Sequence, residues 1–303
     1  MRPQEDIRAP GPVRAGEPRG EAVRTAGIVL AGGRSTRMGR PKAALEWHGS
    51  TLLHRVAGIV GRSVDGPVVV VRAPGQELPA LPPGTRVVED AREGRGPLQG
   101  LAAGLAAVAA DAELAYVSST DVPLLHPAFV ARVLAAGARD GVDVALPIAH
   151  GFRHPLAAAY RTLLLPEIEE LIASDRMRPA FLFERCRVLE LDEEELLRDR
   201  SLARADPDLL SLLNVNDPAE YERARARAAP SVRVRRFGTL SARSDSEPLA
   251  LRAATLAAAA AAAGVPLDRH VVAALNGEQI SRDPELPLAS GDTVAFLAAD
   301  AGG

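Results

Sequence analysis

The sequence predicts an α/β domain, built on a mainly parallel sheet with helices on its faces, followed by a small α+β domain. Three observations predict it. Between residues 26 and 229, short apolar runs alternate with helical segments, as a parallel sheet with crossover helices requires. The run Val68-Val69-Val70-Val71 is continuous and β-branched, the pattern of a strand covered on both faces. Beyond Pro230 the pattern changes, and residues 231–237 alternate polar and apolar like a half-buried strand.

Each element has its own signal. Residues 26–30 are a buried strand entering a glycine-rich loop. Residues 51–60 read as a helix, 67–71 and 86–89 as strands, and 98–110 as a helix of small residues. Residues 114–119 form a strand ending toward Asp121, 126–136 a helix, and 143–147 a strand. Asp217-Pro218 starts another helix, with Asp as cap and Pro at the first position, which runs through Ala-Arg repeats to Pro230. In the second domain, residues 249–263 read as an alanine-rich helix closed by Gly264 and Pro266. Residues 271–276 and 293–297 are strands, and Asn276-Gly277 is a hairpin turn signal. The expected boundaries are a disordered tail at 1–24, a first domain at 25–229 and a second at 231–303.

Bulk composition narrows the function classes. A chain of 303 residues has room for two domains, and 47% hydrophobic residues suffice for a core. Aromatics are only 3%, so that core must be mostly Ala, Val and Leu. A net charge of −3 gives no basic field for nucleic acid. The single cysteine, Cys186, excludes an internal disulfide and multi-cysteine metal sites, and it reads as a small core residue. No run reaches membrane-spanning length without polar breaks, and residues 1–24 have no apolar leader segment. The expectation is a cytoplasmic protein without membrane contact.

Lys42 is the only lysine among 36 basic residues. It follows Leu30-Ala31-Gly32-Gly33-Arg34-Ser35-Thr36-Arg37-Met38-Gly39-Arg40-Pro41. A site that keeps lysine amid so much arginine suits a compact point charge rather than a planar fork. Gly32 and Gly33 after a strand can turn backbone amides toward an anion, with Arg34, Arg37 and Lys42 adding charge. The segment is neither a Walker A loop nor G-x-G-x-x-G. Asp121, at the end of a buried strand, is a carboxylate placed for Mg²⁺, which takes one or two carboxylates plus phosphate oxygens and waters. The alternative role for Asp121 is a cap before Pro123. Asn214 and Asn216 are two of only three asparagines, and on a strand they would share one face. Asn216 is then placed to help at the metal, with an Asx turn before Asp217-Pro218 as its alternative.

Residues 26–45 resemble the signature L-A-G-G-x-x-x-R-M-G-x-x-K of the nucleotidyltransferases, specifically the molybdenum cofactor guanylyltransferases of MobA type. The likeness continues in order through Val87-Val88-Glu89-Asp90, Gly96-Pro97-Leu98-Gln99-Gly100, Thr120-Asp121-Val122-Pro123, Arg153-His154-Pro155 and Asn214-Val215-Asn216. It implies a Rossmann-like fold and transfer of GMP from GTP to molybdopterin. It also implies a set of roles. Leu30, Ala31, Gly32, Gly33, Lys42, Asp90, Gly96, Pro97, Leu98, Gly100 and Asp121 meet the nucleotide. Lys42, Arg37 and Asp121 serve catalysis, and Asp121 with Asn216 holds Mg²⁺. Arg153, His154 and Arg178 fall on the pterin side, where His154 could equally be a structural loop residue. The family often carries an asparagine near the end of the second strand, where this chain has Val71-Arg72. Selection of GTP over CTP therefore stays open, although the Gly32-Gly33 pair differs from the L-A-A-G of related cytidylyltransferases. Other phosphorylated acceptors and a non-catalytic scaffold are the alternatives.

The chain closes on Ala301-Gly302-Gly303. Residues 231–303 resemble the sulfur-carrier subunit of molybdopterin synthase, a MoaD-type, ubiquitin-like β-grasp domain. The matching features are Val232-Arg233-Val234 with Phe237, Ala274-Leu275-Asn276-Gly277, Pro287-Leu288 and Gly291-Asp292-Thr293-Val294-Ala295-Phe296. The resemblance implies that Gly303, behind Gly302, is adenylated by an E1-like enzyme and converted to a thiocarboxylate. It would then donate sulfur alongside the catalytic subunit of molybdopterin synthase. Leu297-Ala298-Ala299-Asp300 departs from the apolar, proline-containing run usual there.

Overall fold

Both faces of the first strand are covered, as its unbroken apolar run requires. The computed structural model describes residues 23–32, 41–90, 96–240 and 247–298. In chain order the first part contains β1 (Thr25–Leu30), a 3₁₀ turn (Lys42–Ala44), β2 (Glu46–Trp47), β3 (Ser50–Thr51), α1 (Leu52–Gly61), β4 (Val68–Arg72), β5 (Arg86–Glu89), α2 (Pro97–Val108) and β6 (Leu114–Ser119). It continues with α3 (Pro127–Gly137), β7 (Val144–Ala149), β8 (Phe152–Arg153), β9 (Ala157–Arg161), α4 (Leu165–Ala173), α5 (Pro179–Phe183), β10 (Val188–Leu191), α6 (Glu193–Leu197), α7 (Arg200–Ala205) and α8 (Pro218–Arg225).

The main sheet has the order β10-β7-β9-β6-β1-β4-β5, with β8 paired to β7. β1 runs parallel to β4 and β6, β4 to β5, and β10 to β7. β9 is antiparallel to both β6 and β7. The carboxyl ends of β1, β4, β5 and β6 therefore open on one edge, where ligands of such sheets bind. Ala26 and Ile28 join a core with Leu98, Leu101 and Leu105, whereas Val29 joins the opposite core with Leu53, Val56 and Phe129. A Cβ on Gly104 would stand 2.5 Å from Ile28 Cγ2, so this glycine lets α2 lie directly on β1. Cys186 packs half-buried against the α2-side core, and burial pushes its thiol up to about 11.

The second part holds β11 (Ser231–Phe237), β12 (Leu249–Arg252), α9 (Leu256–Ala262), β13 (Val271–Leu275), β14 (Gln279–Ser281) and β15 (Thr293–Ala298). Its sheet order is β12-β11-β15-β13-β14, with β11 and β15 parallel and the other pairs antiparallel. Val232, Val234, Leu256, Ala260, Leu275, Val294 and Phe296 form its core. Asn276 and Gly277 both take positive φ, +54° and +82°, in the turn between β13 and β14.

Several expectations are corrected. The helix expected at 249–263 is two elements. Leu249–Arg252 pairs with β11, and the helix begins only at Leu256, where the Thr255 hydroxyl caps the Ala258 amide at 3.2 Å. Edge pairing outweighs the helical preference of Leu249-Ala250-Leu251-Arg252. Gly264 does close the helix, at φ +67°. Helix α8 ends at Arg225 rather than at Pro230. Asn214 and Asn216 lie on a segment outside any strand. Strands β9, β10 and β14 and helix α4 carry weak sequence signals and were not expected. The tail at 1–24 falls, through residue 22, outside the described residues.

The two sheets meet through α1, whose residues Leu52–Val60 are all buried. Arg62 forms a two-pronged ion pair with Asp292, at 2.9 and 2.6 Å, and donates to the Pro287 carbonyl at 3.1 Å. Arg55 is wholly buried and donates to the Pro123, Leu288 and Ala254 carbonyls. Burial holds its guanidinium down to about 10, with Arg62 adding to the effect.

Candidate active site

The site grows from the ends of β1, β4 and β6. Thr120 Oγ1 donates to the Leu30 carbonyl at 3.0 Å and ties the exits of β6 and β1 together. Asp121 follows at once. Lys42 opens the 3₁₀ turn whose next residue, Ala43, is anchored in the core. The Lys42 ammonium donates to Asp121 Oδ2 at 2.7 Å and to Asn216 Oδ1 at 3.1 Å. Asn214 Nδ2 donates to the other Asp121 oxygen at 2.8 Å. The Lys42 and Asp121 side chains are 20% and 14% exposed, so the cluster is recessed but open to a ligand.

Val215 explains how both asparagines reach this point without a strand. Its side chain is fully buried with Leu45, Trp47, Leu52 and Tyr221, and its amide donates to the Asp121 carbonyl at 2.9 Å. The residues on either side are thereby presented to the Asp121 carboxylate. Asp217 caps α8 through the Glu220 amide at 2.8 Å, and Glu220 reaches back to the Asn216 amide at 2.7 Å. A local helix start thus holds Asn216 in place.

On the other side of β1, Ala31 donates to the Val71 carbonyl at 2.8 Å, and Gly32 is exposed beyond it. Gln76, a residue the sequence argument did not select, bridges this edge. Its Nε2 donates to the Ala31 carbonyl and its Oε1 accepts from the Ala73 amide, both at 3.0 Å. Arg72 donates to the Gln76 carbonyl and pairs with Glu89 at 2.8 Å, and the Asp90 amide bonds back to the Arg72 carbonyl. A carboxamide thus stands four residues after Arg72, bonded to the Ala31 and Ala73 peptides. A sequence signal existed: Gln76 is the amide residue in the Ala73-Pro74-Gly75 turn after the strand.

Gly96, at φ +102°, starts α2 and is exposed, with Pro97 partly so. Leu98 and Gly100 face inward instead: Leu98 is buried, and a Cβ on Gly100 would lie 3.3 Å from Leu30 Cδ2. These two side-chain positions belong to the helix–sheet contact. Gly33, Arg34, Arg37, Gly302 and Gly303 lie outside the described residues.

The expected pterin side is divided. The Ser119 amide donates to the Leu156 carbonyl at 3.2 Å, which sets the turn carrying Arg153 and His154 beside the end of β6. Arg153 pairs with Glu190 at 2.5 Å. His154 bonds through Nε2 to the Ala149 carbonyl at 3.1 Å, and burial holds its imidazole below the usual range. Arg178 takes the residue position before α5 without a side-chain capping bond, exposed, next to Met177, whose carbonyl lies 3.5 Å from where a Gly96 Cβ would be. It therefore stands beside the Gly96 turn.

The donor set at Asp121 fits a hard cation. One carboxylate and the Asn216 amide oxygen converge, and Mg²⁺ commonly completes its shell with phosphate oxygens and water. Among the described residues no three His, Cys, Asp or Glu side chains form a metal-holding group. A recessed cation beside a carboxylate, at the edge where a glycine-rich loop leaves the sheet, is an arrangement for binding and reacting a polyphosphate.

A profile of the MobA-like NTP transferase domain matches residues 27–188. The chain belongs to the MobA-like NTP transferase family. It is a nucleotidyltransferase. This transferase is 40% identical over 156 residues to a probable molybdenum cofactor guanylyltransferase of Mycobacterium avium (strain 104), covering 50% of this chain and 77% of that protein. It is 37% identical over 174 residues to the protein of the same name from Mycobacterium tuberculosis (strain H37Rv), covering 56% and 85%. Among solved structures, the molybdopterin-guanine dinucleotide biosynthesis protein A from Archaeoglobus fulgidus shares the fold. Its TM-score is 0.52 at 21% identity, over 66% of this chain and 96% of that one. The transferase's mixed sheet, parallel apart from β9 and β8, is the frame of that fold. Among the described residues no helix is long and apolar enough to cross a membrane.

Proposed function

We propose that the transferase moves GMP from GTP onto the terminal phosphate of molybdopterin and releases pyrophosphate. The observation that carries this reading is the Lys42–Asp121–Asn216 cluster, at 2.7 and 3.1 Å, beside the end of β1. The names of its relatives supply the acceptor and the base. A phosphate oxygen of the pterin attacks the α-phosphorus of GTP, and the bond to the β-phosphate oxygen breaks. The nucleophile needs no side-chain base, because a phosphate monoester loses its second proton near pH ~6. Two polyanions must meet, so the work of this chain is positioning and charge neutralisation. Lys42 serves the phosphates, the backbone of Leu30, Ala31 and Gly32 with Asp90, Gly96 and Pro97 serves the nucleoside end, and Arg37 adds charge. Asp121 and Asn216 would hold Mg²⁺, which supplies Lewis-acid neutralisation of phosphate charge. Arg153 and His154 would meet the acceptor. A binding panel of GTP, CTP and UTP tests the base: preference for GTP is expected, and preference for CTP would overturn the guanylyl assignment.

We further propose that residues 231–303 form a separate β-grasp domain that serves as a sulfur carrier for molybdopterin synthesis. Its strand order, with the parallel pair β11 and β15 at the centre and α9 on one face, supports that reading. The start of β15 lies at the α1 junction, where Asp292 binds Arg62. Its six residues carry the chain about 20 Å away from that junction. The partners would be an E1-like adenylating enzyme and the catalytic subunit of molybdopterin synthase. Deleting Gly302 and Gly303 should abolish thiocarboxylate formation and spare guanylylation. Loss of both activities would sink the two-domain assignment.

A further inference from the structure

We infer that the Lys42 ammonium occupies the cation position while no nucleotide is bound, and so couples metal binding to nucleotide binding. The inference rests on the reading of Asp121 and Asn216 as metal ligands. Its observation is that Lys42 Nζ already holds both oxygens that reading assigns, Asp121 Oδ2 at 2.7 Å and Asn216 Oδ1 at 3.1 Å. Asn214 Nδ2, at 2.8 Å, occupies the remaining Asp121 oxygen. A magnesium ion binds oxygen at about 2.1 Å and tolerates little distortion. An ion on these two oxygens would stand close to an ammonium already in hydrogen-bond contact with both, and two cations on one carboxylate oxygen repel each other. Metal entry is therefore opposed while Lys42 stays there.

Protein groups alone compete poorly for the ion. They offer one carboxylate and one neutral amide oxygen, with no three-residue His, Cys, Asp or Glu group among the described residues. An incoming triphosphate changes the balance in two ways. It brings oxygens that complete the metal's shell, and it gives the ammonium an anion to move to. Each ligand thereby removes an obstacle to the other, and their coupling is reciprocal. The same geometry accounts for the sole lysine among 36 basic residues. A compact ammonium with three donors can stand where a small cation stands, and a planar guanidinium cannot.

The experiment titrates Mn²⁺ into the full chain and reads free ion by electron paramagnetic resonance, with and without a non-hydrolysable GTP analogue. Without nucleotide, Lys42→Met should bind Mn²⁺ about ten-fold more tightly than the unaltered chain, or better. The analogue should strengthen Mn²⁺ binding much more in the unaltered chain than in Lys42→Met. Equal or weaker Mn²⁺ binding by Lys42→Met without nucleotide overturns the inference. Asp121→Asn separates the underlying reading: if its Mn²⁺ binding matched the unaltered chain, the metal assignment itself would fail. A second readout needs no variant. With one lysine in the chain, ¹³Cε-lysine labelling gives one side-chain signal. That signal should shift when the analogue and Mg²⁺ are added together. An unmoved signal under saturating ligand overturns the exchange.

Discussion

Replacing Asp292 by alanine should cost this protein about 3–5 kcal/mol, because it strands a buried guanidinium. The Asp292 carboxylate is 6% exposed and Arg62 is 7% exposed, so water replaces little of what is lost. Four donors converge on it: Arg62 Nη1 at 2.9 Å, Arg62 Nη2 at 2.6 Å, Asn276 Nδ2 at 2.9 Å and the Ala289 amide at 2.7 Å. Without the carboxylate, Arg62 keeps, among the described residues, only the Pro287 carbonyl, at 3.1 Å, and faces Arg55, a second buried cation. Typical domains have about 5–15 kcal/mol of stability, so the loss would be a large fraction. Equilibrium urea unfolding, followed by far-ultraviolet circular dichroism, measures it. The unaltered chain should unfold in one transition, and Asp292→Ala should separate the 231–298 part as an earlier step. Exchanging both partners for leucine should recover much of the loss, since a well-packed apolar pair avoids the desolvation of two charges. A loss below about 1 kcal/mol, the range of surface ion pairs, would refute the reasoning.

Other outcomes follow from the same geometry. Lys42→Arg keeps the charge but should lower transfer by about ten-fold or more, because a planar fork does not fit between Asp121 Oδ2 and Asn216 Oδ1; steady-state kinetics with GTP checks it. Gln76→Ala removes two 3.0 Å hydrogen bonds that hold the Ala31 and Ala73 peptides. At about 1 kcal/mol each, about 2 kcal/mol together, KM for nucleotide should rise by up to roughly thirty-fold with kcat little changed. His126 accepts the Ala128 amide at Nδ1 and bonds through Nε2 to the Ser290 carbonyl, and burial lowers its pKa below 6.5. A lowered histidine pKa means that the unfolded chain binds more protons, so its contribution is complete above about pH 6.5 and is lost as pH falls below that. The urea midpoint should drop between pH 7.5 and 5.5. His126→Asn, which can keep the helix cap, should flatten that drop.

The frame of the site was legible because it depends on local chemistry. A buried strand, a glycine-rich loop, a lone lysine and an aspartate after the next buried strand lie at sheet ends in any parallel arrangement, and Lys42 meets Asp121 there. Asp217-Pro218 announced α8, whose capping fixes Asn216. What the sequence hid is what tertiary contact decides. Asn214 and Asn216 flank a side chain buried among Leu45, Trp47 and Tyr221, so they converge without a strand. Gln76 reaches Ala31 across 45 positions, a contact that no short pattern encodes. Leu98 and Gly100 sit in the segment expected beside a nucleotide but face inward, because α2 must lie on β1. The 249–252 strand reads as helix from alanine content, and only β11 beside it makes it a strand. Arg55, Arg62 and Asp292 gave no warning of a junction, since isolated charges on a helix and in a loop are ordinary features.

The most direct test of the central claim is pyrophosphate release by the full chain supplied with GTP, Mg²⁺ and molybdopterin. The account predicts one pyrophosphate per guanylylated pterin, strong preference for GTP over CTP, and near-complete loss in Asp121→Ala. Turnover that proceeds unchanged without the pterin, or that persists in Asp121→Ala, would contradict it.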